Sequence, residues 1–219
     1  MRIRVTHYLD VVSSWCFWAA PAWAELQERY RDRVSFQWKI ALMDEKGMPA
    51  SHAQMEWFYR RSGMMMRSPF MLRSAWHDVG ATEYLAPNAI TEAARDLGVG
   101  DDRVWLAFAQ AGLREGKKTG QWEIAAEVGA EASGLPKKKL LDLARSPEIE
   151  KRMRDSTAEF HKMQVTQRPT FVIDSDIGDR AVFAGFAKVT PMAVTLDAML
   201  EDIASYEAHA AHFGSPPAT

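Results

Sequence analysis

Residues 2–9 alternate polar and apolar side chains with a period of two, which predicts a strand with one buried face. The period then changes. Trp15, Trp18, Ala19, Ala22, Trp23, Leu26 and Tyr30 recur at helical spacing. Ser13 stands at the junction and suits the N-cap, because its oxygen can accept an N–H left unpaired in the first helical turn. Pro21 falls inside this helix and is expected to kink it. A second strand follows over 34–40, with Val34, Phe36, Trp38 and Ile40 on one face.

From about residue 50 to residue 164 the strand signal is lost. Helical patches are expected over 53–61, 69–76, 88–97, 101–114, 119–133, 137–144 and 147–162. Ser146-Pro147-Glu148 reads as a helix start, and Gly98-Val99-Gly100 and Gly134-Leu135-Pro136 as breaks. Strands return over 170–173 and 181–183. A last helix over 191–208 carries Met192, Leu196, Met199, Leu200 and Ile203 on one face, and 209–219 reads as a flexible tail.

Composition narrows the classes. The chain has 219 residues, 47% of them hydrophobic, enough for a real core, and its net charge of −2 gives no reason to propose nucleic acid or an anionic membrane as partner. One cysteine excludes an internal disulfide and a cysteine-built zinc site, and the six histidines show no ligand spacing, so no metal is expected. No run approaches the ~18 apolar residues of a membrane span. The N-terminus lacks the apolar core of a signal peptide, so a cytoplasmic protein is the expectation.

The chemistry gathers where the first strand meets the first helix. A strand, a tight loop and a capped helix aim several N–H donors and a positive dipole end at one place. Cys16, the single cysteine, follows Ser13 at the spacing of Cys-x-x-Cys, giving Ser13-Ser14-Trp15-Cys16. Far downstream lies Arg168-Pro169-Thr170-Phe171-Val172-Ile173. These two stretches resemble the thioredoxin-like DsbA family. They look at least as much like its kappa-class glutathione transferase and 2-hydroxychromene-2-carboxylate isomerase branch, which carries serine at the first motif position. The resemblance implies an α/β thioredoxin-like fold, residues 1–48 and 165–208, with an all-helical insertion, 49–164. It also implies a cis Arg168–Pro169 bond facing the active site, and a homodimer.

On that resemblance, Ser13 donates a hydrogen bond to a bound thiolate, with Ser13 and Cys16 as the catalytic pair to weigh. Glutathione serves as cosubstrate, bound by Ser14, Trp15, Arg168 and Pro169, and the second substrate is a small apolar or aromatic molecule. The bland readings stand beside these: Ser13 as a cap, Cys16 as a half-buried apolar residue, Pro169 as a plain strand-entry proline, Arg168 as an exposed arginine. Near the helix N-terminus the Cys16 pKa could instead be lowered. The cluster Gly63 to Met71, with Trp57, Phe58, Trp76 and His77, is expected to be core or the wall of an apolar pocket. Arg60, Arg61, Arg67 and Arg73 would serve an acidic substrate or face water.

The leading function is a glutathione-dependent transferase or isomerase. The alternatives are a DsbA-like oxidoreductase using Cys16 alone and a non-catalytic binding module. Two departures from the family pattern keep these open: Ser14 replaces a common proline, and Phe183 to Lys188 lacks the Asp-Arg pair of kappa-class enzymes.

Overall fold

The computed structural model describes residues 2–185 and 188–215. β1 (Ile3–Leu9) leads into α1 (Ser14–Arg29) and then β2 (Val34–Ile40), which pairs with β1 in parallel, Ile3 opposite Val34 and Leu9 opposite Ile40. A block of helices follows: α2 (His52–Met65), α3 (Leu85–Asp96), α4 (Arg103–Ala109), α5 (Trp122–Ser133), α6 (Lys137–Ala144) and α7 (Pro147–Lys162). The chain returns as β3 (Thr170–Ser175), antiparallel to β1, and β4 (Arg180–Ala184), antiparallel to β3, and ends in α8 (Val189–Phe213). The sheet order is β2-β1-β3-β4. Among the described residues no strand from the insertion joins this sheet, so the fold is thioredoxin-like with a helical insertion.

β1 departs from its expected one-sided burial. Arg4 alone is exposed, because β1 is an inner strand covered on both faces. On one face His7 meets Trp23 of α1 and Trp105 of α4, with ring centroids 5.1 and 5.9 Å away. On the other, Tyr8 meets Phe160 of α7 at 6.0 Å. His7 also stacks on Phe171 at 4.5 Å, and neither ring nitrogen has a hydrogen-bond partner among the described residues.

The edge strand β2 is closed by the insertion. Arg95 donates to the Trp38 carbonyl at 3.0 Å and lies 3.5 Å from the centroid of its ring, and the Ser156 hydroxyl donates to the Ile40 carbonyl at 2.5 Å. Carbonyls held this way are not open to pairing with another strand. Buried Glu92 holds Arg95 at 3.2 Å and Arg152 at 3.3 Å, joining α3 to α7. On the far side, Tyr30 at the end of α1 puts its hydroxyl 2.8 Å from Asp197 of α8.

Several expected boundaries move. Residues 69–76 form no helix. Arg67 takes a left-handed backbone (φ 51°), and Pro69 disfavours helix at Ser68, so the chain leaves α2 as an irregular loop. The helix expected over 101–114 begins at Arg103 and ends in a π-helical turn, Gln110–Arg114. α8 runs through Phe213, so helix covers the start of the segment expected as a tail. Residues 216–219 lie outside the described residues, as do Phe186 and Ala187 of the stretch compared above.

Candidate active site

Asp10, at the end of β1, organises the loop before α1. Its buried carboxylate accepts from the Val12 N–H at 3.0 Å, the Met43 N–H at 2.8 Å and Asn88 Nδ2 at 3.0 Å. Asn88 in turn accepts the Val11 N–H at 3.2 Å and donates to the Tyr84 carbonyl at 2.9 Å. One carboxylate thus ties the site loop to the end of β2 and to α3 of the insertion. Burial pushes the Asp10 carboxyl above its usual range, against the downward pull of these donors and of nearby Arg168. The sequence reading missed Asp10 and Asn88. The signal for Asp10 was there: an acidic residue directly after an apolar strand and just before a helix cap.

Ser13 is the cap that the sequence predicts. Its backbone is extended, and its Oγ accepts the Cys16 N–H at 3.4 Å. The first turn of α1 holds no acidic side chain. Among the described residues the N–H groups of Ser14 and Trp15 have no acceptor. Two unpaired N–H donors, the Ser13 hydroxyl and the positive end of a 16-residue helix therefore converge.

Cys16 lines neither of the two openings that Ser13 lines. It is 1% exposed, against an expectation of half-burial, and it sits in the main apolar core. Burial pushes its thiol up to about 12, overriding the downward effect of the Ser13 hydrogen bond. The lowering expected from the helix N-terminus is therefore overturned: desolvation of a thiolate outweighs a dipole contribution of ~0.3–1 kcal/mol.

The Arg168–Pro169 bond is cis, and Gln167 and Arg168 line a groove of about 360 Å³ together with Ser13 and Trp15. Pro169 is buried, and its carbonyl accepts the Gly185 N–H at 2.8 Å. Arg168 is neither free for a ligand carboxylate nor simply exposed. Its guanidinium donates to the Ala41 and Leu42 carbonyls just past β2 and lies 4.5 Å from the Phe160 ring centroid. Its backbone N–H and carbonyl have no partner among the described residues.

A second cleft, of about 270 Å³, shares Ser13, Trp15, Met43, Lys46 and Gly47 with the groove, so the two meet over the α1 N-terminus. Its far wall is apolar: Met48, Met55, Phe58, Tyr59 and Trp76. Trp76 donates to the Tyr59 hydroxyl at 2.9 Å, and His77 beside it bridges Tyr84 at 3.0 Å and the Pro49 carbonyl at 3.1 Å. The expected wall is therefore right for Phe58 and Trp76 and wrong for the methionine run. Met64 and Met65 point outward, 78% and 66% exposed, and the cleft methionines are Met43, Met48 and Met55. Lys46 and Arg61 supply positive charge at its rim.

The family model described as the DSBA-like thioredoxin domain matches residues 4–196. The chain belongs to this family. No curated protein matches the sequence significantly. Among solved structures, this DSBA-like domain is similar to the cytosolic disulfide reductase DsbM from Pseudomonas aeruginosa: 18% identity, 90% of this chain and 98% of that one, TM-score 0.73. DsbM solved with GSH aligns at 16% identity over 90% of this chain and 99% of that one, TM-score 0.71. Pseudomonas aeruginosa DsbA aligns at 16% identity over 94% and 86%, TM-score 0.58. At these identities the likeness bears on the fold. Among the described residues of this DSBA-like domain, no helix is long and apolar enough to cross a membrane.

Proposed function

We propose that this DSBA-like domain is a glutathione-dependent transferase or isomerase. In this reading Ser13, Ser14 and Trp15 hold the ionised sulfur of a tripeptide thiol at the N-terminus of α1. The observation that carries it is the division between two neighbours: Ser13 faces both the cleft and the groove, while the thiol of Cys16 is buried and kept protonated. The Ser13 hydroxyl, which accepts from the Cys16 N–H, can turn its proton from the protonated Cys16 sulfur to a bound sulfur anion. The unpaired backbone of Arg168, which lines the groove, would offer the peptide part an antiparallel partner, and Lys46 and Arg61 of the cleft lining would pair with its carboxylates. GSH in the DsbM structure supports the choice of thiol.

Under this proposal the apolar wall receives an electron-poor aromatic or unsaturated substrate. The sulfur forms a bond to a substrate carbon, the displaced π-electron pair moves onto the substrate, and a proton from solvent completes the adduct. The thiol proton has already left for solvent on binding. Retention of the adduct is conjugation, and its reversal after rotation is isomerisation. The proposed setting is the cytoplasm, as for DsbM, and the proposed assembly is a homodimer, which light scattering at micromolar concentration checks.

The test sets thiol conjugation and disulfide reduction side by side. Ser13→Ala should lose one to two orders of magnitude in conjugation, from a charged hydrogen bond of ~1.5–3 kcal/mol, while Cys16→Ser leaves it nearly intact. The opposite pattern returns the site to a monothiol oxidoreductase.

A further inference from the structure

We propose that the outer face of α2 and the loop after it form a docking surface for an acidic, apolar polypeptide segment. Apart from Arg61, which also lines the cleft, this surface lies outside it. It presents Trp57 at 53% exposure together with Met64 and Met65, and Met71 joins them by packing against α2 at Gly63, where an added Cβ would meet the Met71 sulfur at 3.4 Å. Isolated exposed apolar residues are ordinary, but a contiguous group of large ones marks an interaction site.

The charge on this face decides the partner. Arg60, Arg61, Arg67, Arg73 and Arg114 have no salt bridge to a carboxylate among the described residues, whereas most arginines elsewhere on the surface do. Arg60 and Arg61 lie on α2, Arg67 and Arg73 on the loop that follows it, and Arg114 packs on that loop. Arg61 lies 5.1 Å from the Trp57 ring centroid, Arg114 lies 3.7 Å from that of Phe70, and the Arg73 N–H donates to the Leu113 carbonyl at 2.7 Å. The nearby carboxylates are engaged elsewhere: Glu56 accepts from the Ser74 hydroxyl at 3.1 Å, and Glu115, close enough to feel Arg114, pairs with Lys117 at 2.9 Å. Arginine, methionine and tryptophan with few acidic residues is the composition of an interface core. Methionines adapt to varied apolar side chains, and unpaired guanidinia select for carboxylates. The inference does not rest on the proposed chemistry of the cleft.

The test uses the full chain and two short fluorescein-labelled peptides of matched leucine and phenylalanine content, one bearing Glu and Asp, the other Lys. The acidic peptide should bind, more weakly as salt rises, and the basic one should not. R60E/R67E/R73E, which spares Arg61 because it lines the cleft, should weaken binding by about tenfold or more. M64A/M65A should weaken it several-fold, and charge reversal on α6, K138E/K139E, should leave it unchanged. All of these side chains are exposed, so the variants should keep the wild-type circular dichroism. Equal binding of the two peptides, no binding, or indifference to R60E/R67E/R73E overturns the proposal. Preference for phosphatidylglycerol vesicles over the acidic peptide also overturns it, in favour of a membrane surface.

Discussion

The Cys16 N–H donates to the Ser13 hydroxyl at 3.4 Å, so the residue that caps α1 is held by the residue buried one turn further on. Ser13 keeps 6% of its surface and faces the cleft, while Cys16 belongs to the core. Reactivity should divide the same way. In the native protein Cys16 should resist a disulfide reagent at mildly alkaline pH, because its thiol is held near 12, and should react once denaturant exposes it. Rapid native labelling would contradict this burial.

Asp10→Ala should be strongly destabilising. It leaves the Val12 and Met43 N–H groups and the Asn88 amide without their shared acceptor. An orphaned buried donor costs ~1–3 kcal/mol, so a loss of about 3 kcal/mol or more in urea unfolding is expected. Asn88→Ala in the Asp10→Ala background should cost much less than it does alone, since the two act as one network.

His7→Phe should stabilise the fold and flatten its acid dependence. Burial lowers the His7 pKa to about 3 from an unfolded value of 6.5. Between those values the unfolded chain binds the extra proton, so stability rises with pH and is lost as pH falls, by ~1.4 kcal/mol per unit. Asp10 and Glu92, whose pKa values are raised, act in the opposite sense. The difference between wild type and His7→Phe, followed by urea unfolding from pH 7 to pH 4, isolates the histidine. A constant difference would mean that His7 keeps its ordinary pKa.

Gly129→Ala tests the seam between α3 and α5. An added Cβ would lie 2.3 Å from the Ile90 Cγ2, a distance no carbon pair tolerates, so the helices must separate. The expected cost is ~1–3 kcal/mol in thermal or urea unfolding. Ile90→Ala, which removes that methyl, should cost less in the Gly129→Ala chain than it does alone.

Local chemistry made some of this legible in sequence. β2 spans the expected 34–40, and the Ser13 cap follows from its oxygen and its place at a change of period. The Arg168–Pro169 match also led to the right bond. Other features depend on distant partners. Whether Arg168 is free depends on carbonyls at Ala41 and Leu42, over 120 positions away. Burial of Cys16 depends on what packs over α1, and the outward aim of Met64 and Met65 on how α2 rotates against the cleft. Neither periodicity nor motif spacing holds that information. The loop over 69–76 resembled a helix because Phe70, Leu72 and Trp76 are apolar, yet Phe70 is placed by stacking 5.5 Å from Trp18 rather than by helical repeat.

Ionisation of the bound thiol tests the proposed role of Ser13 most directly. The thiolate absorbance of glutathione bound to wild type and to Ser13→Ala can be followed across pH, with the buried Cys16 silent in that range. The wild-type midpoint should fall below the roughly 8.5 of a free thiol, and Ser13→Ala should return it upward by about one to two units. A wild-type midpoint equal to that of free glutathione, or one that Ser13→Ala leaves in place, would contradict a thiolate held by Ser13.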